Sequence, residues 1–96
     1  SAHIIELIIE SDCDLAIIII MEECSNIIED TQIEKCWNNC SSWILLYQIA
    51  LRYPDKQEAF FKRLGIVHNK NFYKKLFENK FTFYKSEEEN KKYIKA

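Results

Sequence analysis

Apolar residues recur at helical spacing through most of this chain. Near the N terminus, Ile4, Ile5, Ile8 and Ile9 repeat at the interval of one helical turn, while His3, Glu6 and Glu10 fall on the other side. The spacing predicts a helix over residues 2 to 10. A strand is the alternative, because isoleucine favours strands on propensity alone.

Residues 14 to 24 read DLAIIIIMEEC and hold seven apolar residues in a row. Ser11 followed by Asp14 resembles a capping box with Asp in place of Glu, which predicts a helix from Asp12 to about Ile28, again with strand as the alternative. Seven successive apolar residues exceed one helix face, so this helix needs cover on nearly all sides. It is expected to be the central helix of a bundle or, as the second choice, a helix whose outer side is completed by a partner chain.

Thr31 and Glu34 form a second capping box and open a helix through QIEKCWNNC. Ser41 and Ser42 either interrupt this helix or cap a new one over SWILLYQIALRY. Pro54 ends that segment, because proline pushes the preceding residue out of the α-helical region.

The next helix, KQEAFFKRLG, starts between Asp55 and Glu58 and stops at the only glycine of the chain. Gly65 is placed for the left-handed C′ position, with Ile66 behind it to complete a Schellman-type ending. This pattern predicts a sharp helix end at Gly65.

After a short link, Phe72, Leu76 and Phe77 mark one more amphipathic helix, with the aromatic stripe expected to face a core. The segment KFTFYK alternates apolar and polar residues and could be extended. Ser86 and Glu89 form a capping box for a last helix, EEENKKYIKA.

Composition supports this helical pattern. The chain of 96 residues is 48% hydrophobic and 14% aromatic, with a single Gly and a single Pro, whereas all-β folds need frequent turn residues. No period of about 20 to 50 residues repeats convincingly. We predict an all-α fold, a compact bundle or a short solenoid-like array of six or seven short helices. It forms one helical domain over residues 1–96, either complete or a piece of a longer protein.

Several classes of protein are disfavoured by the sequence. The longest apolar run is far shorter than the roughly 20 residues that span a bilayer, so no membrane segment is expected. The N terminus lacks the basic and small-residue pattern of a signal peptide. A single glycine cannot build a phosphate-binding loop. An intracellular protein, cytoplasmic or nuclear, is therefore expected.

Four cysteines, Cys13, Cys24, Cys36 and Cys40, are interpreted as reduced thiols that pack as small apolar residues. In a secreted chain the same four cysteines would be interpreted as two disulfides. A zinc site that uses Cys36 and Cys40 on one helix face is a weaker alternative. A catalytic pair of either thiol with His68 is weaker still. We expect no enzyme activity, no cofactor and no metal.

Charge is strongly divided along the chain. Residues 1 to 51 carry one basic residue against nine acidic ones, a net charge of −8, and residues 52 to 96 carry twelve basic residues against six acidic ones, a net charge of +6. Such polarity suits docking on an oppositely charged partner, or head to tail on another copy.

The basic half interleaves lysines with aromatic residues, a pattern that single-stranded nucleic acid binding uses. The alternative is that the rings form a core and the lysines are its solvated side, which the acidic overall balance favours. The candidate nucleic-acid contacts are Lys62, Arg63, Lys70, Tyr73, Lys74, Lys75 and Lys80.

We favour a protein-protein interaction module, an adaptor or assembly unit, that binds a partner protein or itself through an apolar or aromatic helix face flanked by charge. Trp37 is expected to be exposed rather than Trp43, because polar residues surround it in the sequence. The candidate contact residues are Trp37, Tyr53, Phe60, Phe61 and Arg63. Nucleic-acid binding through residues 60 to 85 is the second hypothesis.

Overall fold

The computed structural model describes residues 2–11, 13–40, 42–82, 85 and 88. These residues form α-helices and one short 3-10 helix, Pro54–Lys56, and no strand is found among them, so the all-α prediction is confirmed. The helices of this part of the chain are α1 (Ala2–Glu10), α2 (Asp14–Glu23), α3 (Asp30–Asn39), α4 (Trp43–Arg52), α5 (Gln57–Arg63) and α6 (Lys70–Glu78).

The chain divides into two compact units, here called the N-terminal unit (Ser1–Ile49) and the C-terminal unit (Ala50–Ala96). The division coincides with the charge boundary of the sequence, because residues 50 and 51 are uncharged. The N-terminal unit therefore has one basic residue against nine acidic ones, net −8, and the C-terminal unit has twelve against six, net +6. The organisation as one domain stays a prediction.

Polar side chains connect the helices of the N-terminal unit. Glu6 of α1 accepts hydrogen bonds from Gln32 at 3.4 Å and from Lys35 at 3.1 Å, both on α3. Glu22 of α2 accepts one from Gln48 of α4 at 2.9 Å. Apolar packing alone resists the sliding or rotation of one helix against another only weakly. These directional bonds therefore help to fix the register of neighbouring helices.

The connection between α1 and α2 differs from the predicted one. The Ser11 N–H donates to the Leu7 carbonyl at 3.0 Å, and the Ser11 hydroxyl donates to the Ile8 carbonyl at 2.9 Å. Ser11 therefore terminates α1 instead of capping α2, whose N-cap position is Cys13. The second helix also ends at Glu23, several residues before the predicted limit at Ile28.

Helix α3 begins one residue before the predicted capping box. Its N-cap is Glu29, and the Glu29 N–H donates to the Gln32 side chain at 2.9 Å. Gln32 therefore occupies the N3 position of the capping box, which the prediction had given to Glu34. At the other end, α3 stops at Asn39 and α4 begins at Trp43, and the Ser42 backbone carbonyl accepts a hydrogen bond from the Leu46 N–H at 3.1 Å. The predicted interruption between these helices is confirmed, and Ser41 lies outside the described residues.

The first choice for α2, the central helix of a bundle, is wrong, and the second choice, a helix whose outer side is completed by a partner chain, stays a prediction. Ile17, Ile18 and Met21 are buried, but Leu15 and Ile19 on the other side of the helix are exposed. The seven apolar residues 15 to 21, about two helical turns, thus pack by one side only, and the apolar run does not make α2 a central helix.

An aromatic cluster forms the core of the C-terminal unit. The fully buried Phe60 ring packs edge-on against Phe61, Tyr73 and Phe77, with ring centroids 5.8, 5.6 and 5.5 Å away. Phe61 and Phe77 also meet, at 6.0 Å. Edge-to-face geometry places the positive rim of one ring against the negative face of the next, which stabilises the cluster beyond its burial.

Two helices of this unit end in the same way. After α5, Gly65 has φ +62°, the Ile66 N–H donates to Phe61 and the Gly65 N–H donates to Lys62, so the predicted Schellman ending is confirmed. After α6, Lys80 has φ +54° and takes the position that Gly65 takes after α5. The Phe81 and Lys80 N–H groups donate to the carbonyls five and three residues before them.

We expect Lys80→Gly to raise the free energy of unfolding by about 0.5–1 kcal/mol, because a left-handed backbone costs an L-residue more than the added chain entropy of glycine. Gly65→Ala is the matched reverse change and should lower it by about 1 kcal/mol. Apart from Gly65 itself and its two chain neighbours, no heavy atom of the described residues comes within 4 Å of the position that a Cβ would take there, so the effect is one of backbone conformation. Urea unfolding measures both. If both variants changed the free energy of unfolding in the same direction, the two helices would not share this type of ending.

Of the last predicted helix, opened by Ser86 and Glu89, all residues except Glu88 lie outside the described residues. In the segment predicted as extended, Phe81 and Thr82 belong to no helix or strand, and Phe83 and Tyr84 lie outside the described residues as well.

Candidate interaction surfaces

The helices α1 and α2 pack against each other and leave four large aliphatic side chains exposed. Ile4 and Leu7 of α1 are 56% and 52% exposed, and Leu15 and Ile19 of α2 are 57% and 39% exposed. The spacing within each pair is one helical turn, so each pair lies on one side of its helix. We call these four residues the aliphatic face.

The electrostatic setting of the aliphatic face is acidic. Lys35 is the only basic residue of the N-terminal unit, and its ammonium group is paired with Glu6 at 3.1 Å. This hydrogen bond lowers the pKa of Glu6 and raises the pKa of Lys35. Glu10, which follows Leu7 by one turn, is exposed. A partner at this face therefore meets apolar side chains within a field of negative charge.

The C-terminal unit exposes a single aromatic ring of α6 beside lysines. Phe72 is 61% exposed, contrary to the prediction that it faces the core with Leu76 and Phe77. Tyr73 and Phe77, spaced by four residues, turn towards the cluster instead. Lys75, one turn from Phe72, is exposed, as is Lys74. We call Phe72 and Lys75 the aromatic-basic face; Lys74 lies on another side of the helix.

The predicted protein contacts are mostly interior. Trp37 is 8% exposed whereas Trp43 is 38% exposed, so the expectation for these two rings is wrong. Phe60 and Phe61 are buried in the aromatic cluster, Tyr53 is half-buried, and Arg63 is exposed. A buried ring has no surface to give to a partner, so Trp37, Phe60 and Phe61 are corrected to core residues.

The predicted nucleic-acid contacts separate into two groups. Lys70 is half-buried, pairs with Glu58 at 3.2 Å and lies 5.2 Å from the centroid of the Phe61 ring, and Tyr73 is half-buried in contact with Phe60. Both side chains therefore contact other residues of the C-terminal unit. The exposed members of the set are Lys62, Arg63, Lys74, Lys75 and Lys80.

The thiols follow their predicted packing in part. Cys36 and Cys40 are buried beside a cavity of about 20 Å³, Cys24 is half-buried and Cys13 is exposed. Burial, and next the neighbouring Cys40, raises the pKa of the Cys36 thiol to about 11. In the part of the chain that the structure describes, no group of three or more His, Cys, Asp or Glu residues is arranged to hold a metal ion.

The aliphatic face was not among the residues that the sequence singled out. Its signal is weak, because α2 is apolar all round and no polar side marks which residues face outwards. Trp37 could have been placed correctly, since Ile33, Cys36, Trp37 and Cys40 follow the spacing of a single buried stripe.

Within the described residues, no helix has the length and apolar content to cross a membrane. The chain matches no protein-family model, no curated protein and no solved structure. Its function is therefore inferred from its own surfaces.

Proposed function

We propose that this chain is a protein-protein interaction module that binds through the aliphatic face of α1 and α2. The observation that carries the proposal is the exposure of Ile4, Leu7, Leu15 and Ile19 on two neighbouring helices. Fully burying an exposed Leu or Ile side chain contributes about 1.5–3 kcal/mol. These four are already about half buried, so covering them adds roughly half of that each, still a substantial share of the free energy of a specific complex.

The charge around this surface makes it selective among partners. The net charge of −8 on the N-terminal unit repels acidic proteins and attracts basic ones. Such steering acts mainly on the association rate and on selectivity, while the apolar contact supplies the affinity. The module works as an adaptor or assembly unit and catalyses no reaction. We place it inside the cell, in the cytoplasm or nucleus, where buried thiols such as Cys36 stay reduced.

A second candidate function is binding of single-stranded nucleic acid by the C-terminal unit. It is supported by the exposed Phe72 ring next to Lys75, since an exposed ring can stack on a base while a lysine contacts a phosphate. The engagement of Lys70 and Tyr73 within the unit reduces the number of side chains available for this role.

Replacing the aliphatic face should abolish partner binding. We expect the double variant Leu15→Gln/Ile19→Gln to fold normally and to lose at least about 30-fold in affinity, the loss typical of a central contact. Ile27→Gln is the matched control, because Ile27 is 44% exposed but lies outside α1 and α2. The three proteins are compared as baits, and each captured protein is purified and titrated against them.

A partner that binds the native chain and Ile27→Gln equally but not the double variant supports the proposal. Partners that all bind the double variant as tightly as the native chain would overturn it. Circular dichroism of each bait shows whether the substitutions have altered the helices.

A further inference from the structure

We infer that the partner of the aliphatic face is the aromatic-basic face of a second copy of the same chain, so that the protein self-associates head to tail. This inference deepens the proposed function and rests on it. The two surfaces are chemically complementary. The N-terminal unit exposes aliphatic side chains among acidic residues, and the C-terminal unit exposes an aromatic ring among basic residues.

Complementary charge is the first argument. The two units carry net charges of −8 and +6, and the division between them coincides with the structural boundary. A contact between unlike units of two molecules brings opposite charges together. Two aliphatic faces meeting each other would instead bring two units of −8 together, and like charges at a contact are strongly disfavoured. Charge therefore selects the head-to-tail arrangement over the symmetric one.

The apolar chemistry agrees with this choice. Phe72 is 61% exposed and stands one turn from Lys75, so a ring enters the contact with an ammonium group beside it. On the other molecule, Leu7 and the exposed Glu10 are also one turn apart. Each surface thus offers an apolar side chain and a charge at the same spacing, and the two charges have opposite sign.

The same argument distinguishes a protein from a nucleic acid as occupant of the aromatic-basic face. A nucleic acid is a polyanion that the overall charge of −2 repels, although the C-terminal unit alone attracts it. A second copy brings its acidic unit together with exposed aliphatic side chains, so it matches both the charge and the ring of the aromatic-basic face. The overall charge of −2 is consistent with a protein occupant.

Head-to-tail contact has a geometric consequence. A head-to-tail pair still has one unused surface of each kind, one on each molecule, so association continues to longer chains or to a closed ring. We therefore expect the average mass of the native protein to rise with concentration rather than to stop at a dimer. The mass should fall when salt is raised from about 50 to about 500 mM, because salt screens the attraction.

A complementation experiment tests this arrangement. Analytical ultracentrifugation of the full chain is run over a wide concentration range, alone and for the variants Leu15→Gln/Ile19→Gln, Phe72→Gln and the control Ile27→Gln. We expect the first two variants to associate at least about 10-fold more weakly than the native chain and the control to associate normally. An equal mixture of the first two should form a 1:1 dimer that does not grow, because each variant keeps one intact surface.

Four results would overturn the inference. These are a native chain that stays monomeric at all concentrations, a Phe72→Gln variant that associates like the native chain, a mixture that stays monomeric, and binding of a labelled oligouridylate at low salt that Phe72→Gln abolishes in a monomeric chain. The second result would indicate a symmetric contact of aliphatic faces. The first and last would leave the proposed function to be decided by the captured partners, so the two failures are distinguishable.

Discussion

Phe60→Ala should lower the free energy of unfolding by about 3–5 kcal/mol. Phe60 is fully buried, and its ring contacts three others, with centroid distances between 5.5 and 5.8 Å. Truncation removes the transfer free energy of the ring, leaves a cavity between Phe61, Tyr73 and Phe77, and breaks their edge contacts with Phe60. Small domains are stable by about 5–15 kcal/mol, so the loss is a large fraction of the total.

Phe72→Ala is the matched control for this change, because it removes the same side chain from an exposed position of the same unit. We expect a change below about 1 kcal/mol, mainly from its edge contact with Tyr73 at 5.3 Å. Urea unfolding followed by circular dichroism measures both variants. Similar losses in the two would show that Phe60 is not the centre of a closed cluster.

Gln48→Glu should make stability depend steeply on pH. Gln48 is fully buried, its amide nitrogen donates to Glu22 at 2.9 Å, and its amide oxygen has no hydrogen-bond partner among the described residues. A carboxyl at this position is buried beside the carboxylate of Glu22. Burial and like charge both raise its pKa in the folded state above the value of about 4.3 that it has when unfolded.

The sign of the effect follows from this raised pKa. Below the unfolded pKa the introduced carboxyl is protonated in both states and can donate to Glu22, so the variant should approach the native stability. As pH rises towards the folded pKa, unfolding releases a proton, and the variant loses stability relative to the native protein. We expect a deficit of about 3 kcal/mol or more at pH 7, the cost of an unpaired buried charge.

Gln48→Met is the control, since it keeps the volume while removing the amide and its unpaired oxygen. Its effect should stay below about 1.5 kcal/mol at every pH. Urea unfolding of the native chain and both variants between about pH 4 and pH 8 gives the comparison. A deficit of Gln48→Glu that does not change with pH would contradict the burial of this side chain.

Much of the helical pattern could be predicted, because capping and helix-ending signals are local. Gly65 ends α5 as expected, and the break at the serine pair lies between α3 and α4. The errors come from side chains that serve a neighbouring element. Ser11 was assigned to the helix after it, yet its hydroxyl bonds to the carbonyl of Ile8 in the helix before it. Both uses of a serine are common, and only tertiary packing decides between them.

The surfaces were harder to predict than the helices. Residues 15 to 21 carry no polar side, so the pattern could not show that Ile17 and Ile18 turn inwards while Leu15 and Ile19 stay outside. In α6 the spacing of Phe72, Leu76 and Phe77 predicted the core stripe, but Tyr73 and Phe77 are also one turn apart, so spacing alone does not choose between Phe72 and Tyr73. Which stripe is buried depends on the position of Phe60, which lies more than ten residues earlier in the chain.

The distribution of the thiols makes the N-terminal unit separately observable. All four cysteines lie in residues 13 to 40, and the C-terminal unit has none. An alkylating reagent should modify the exposed Cys13 first and reach the buried Cys36 and Cys40 only when the helices around them open. The order in which the thiols gain mass in a pulse-labelling experiment therefore reports the opening of one acidic unit, whatever the state of the basic one.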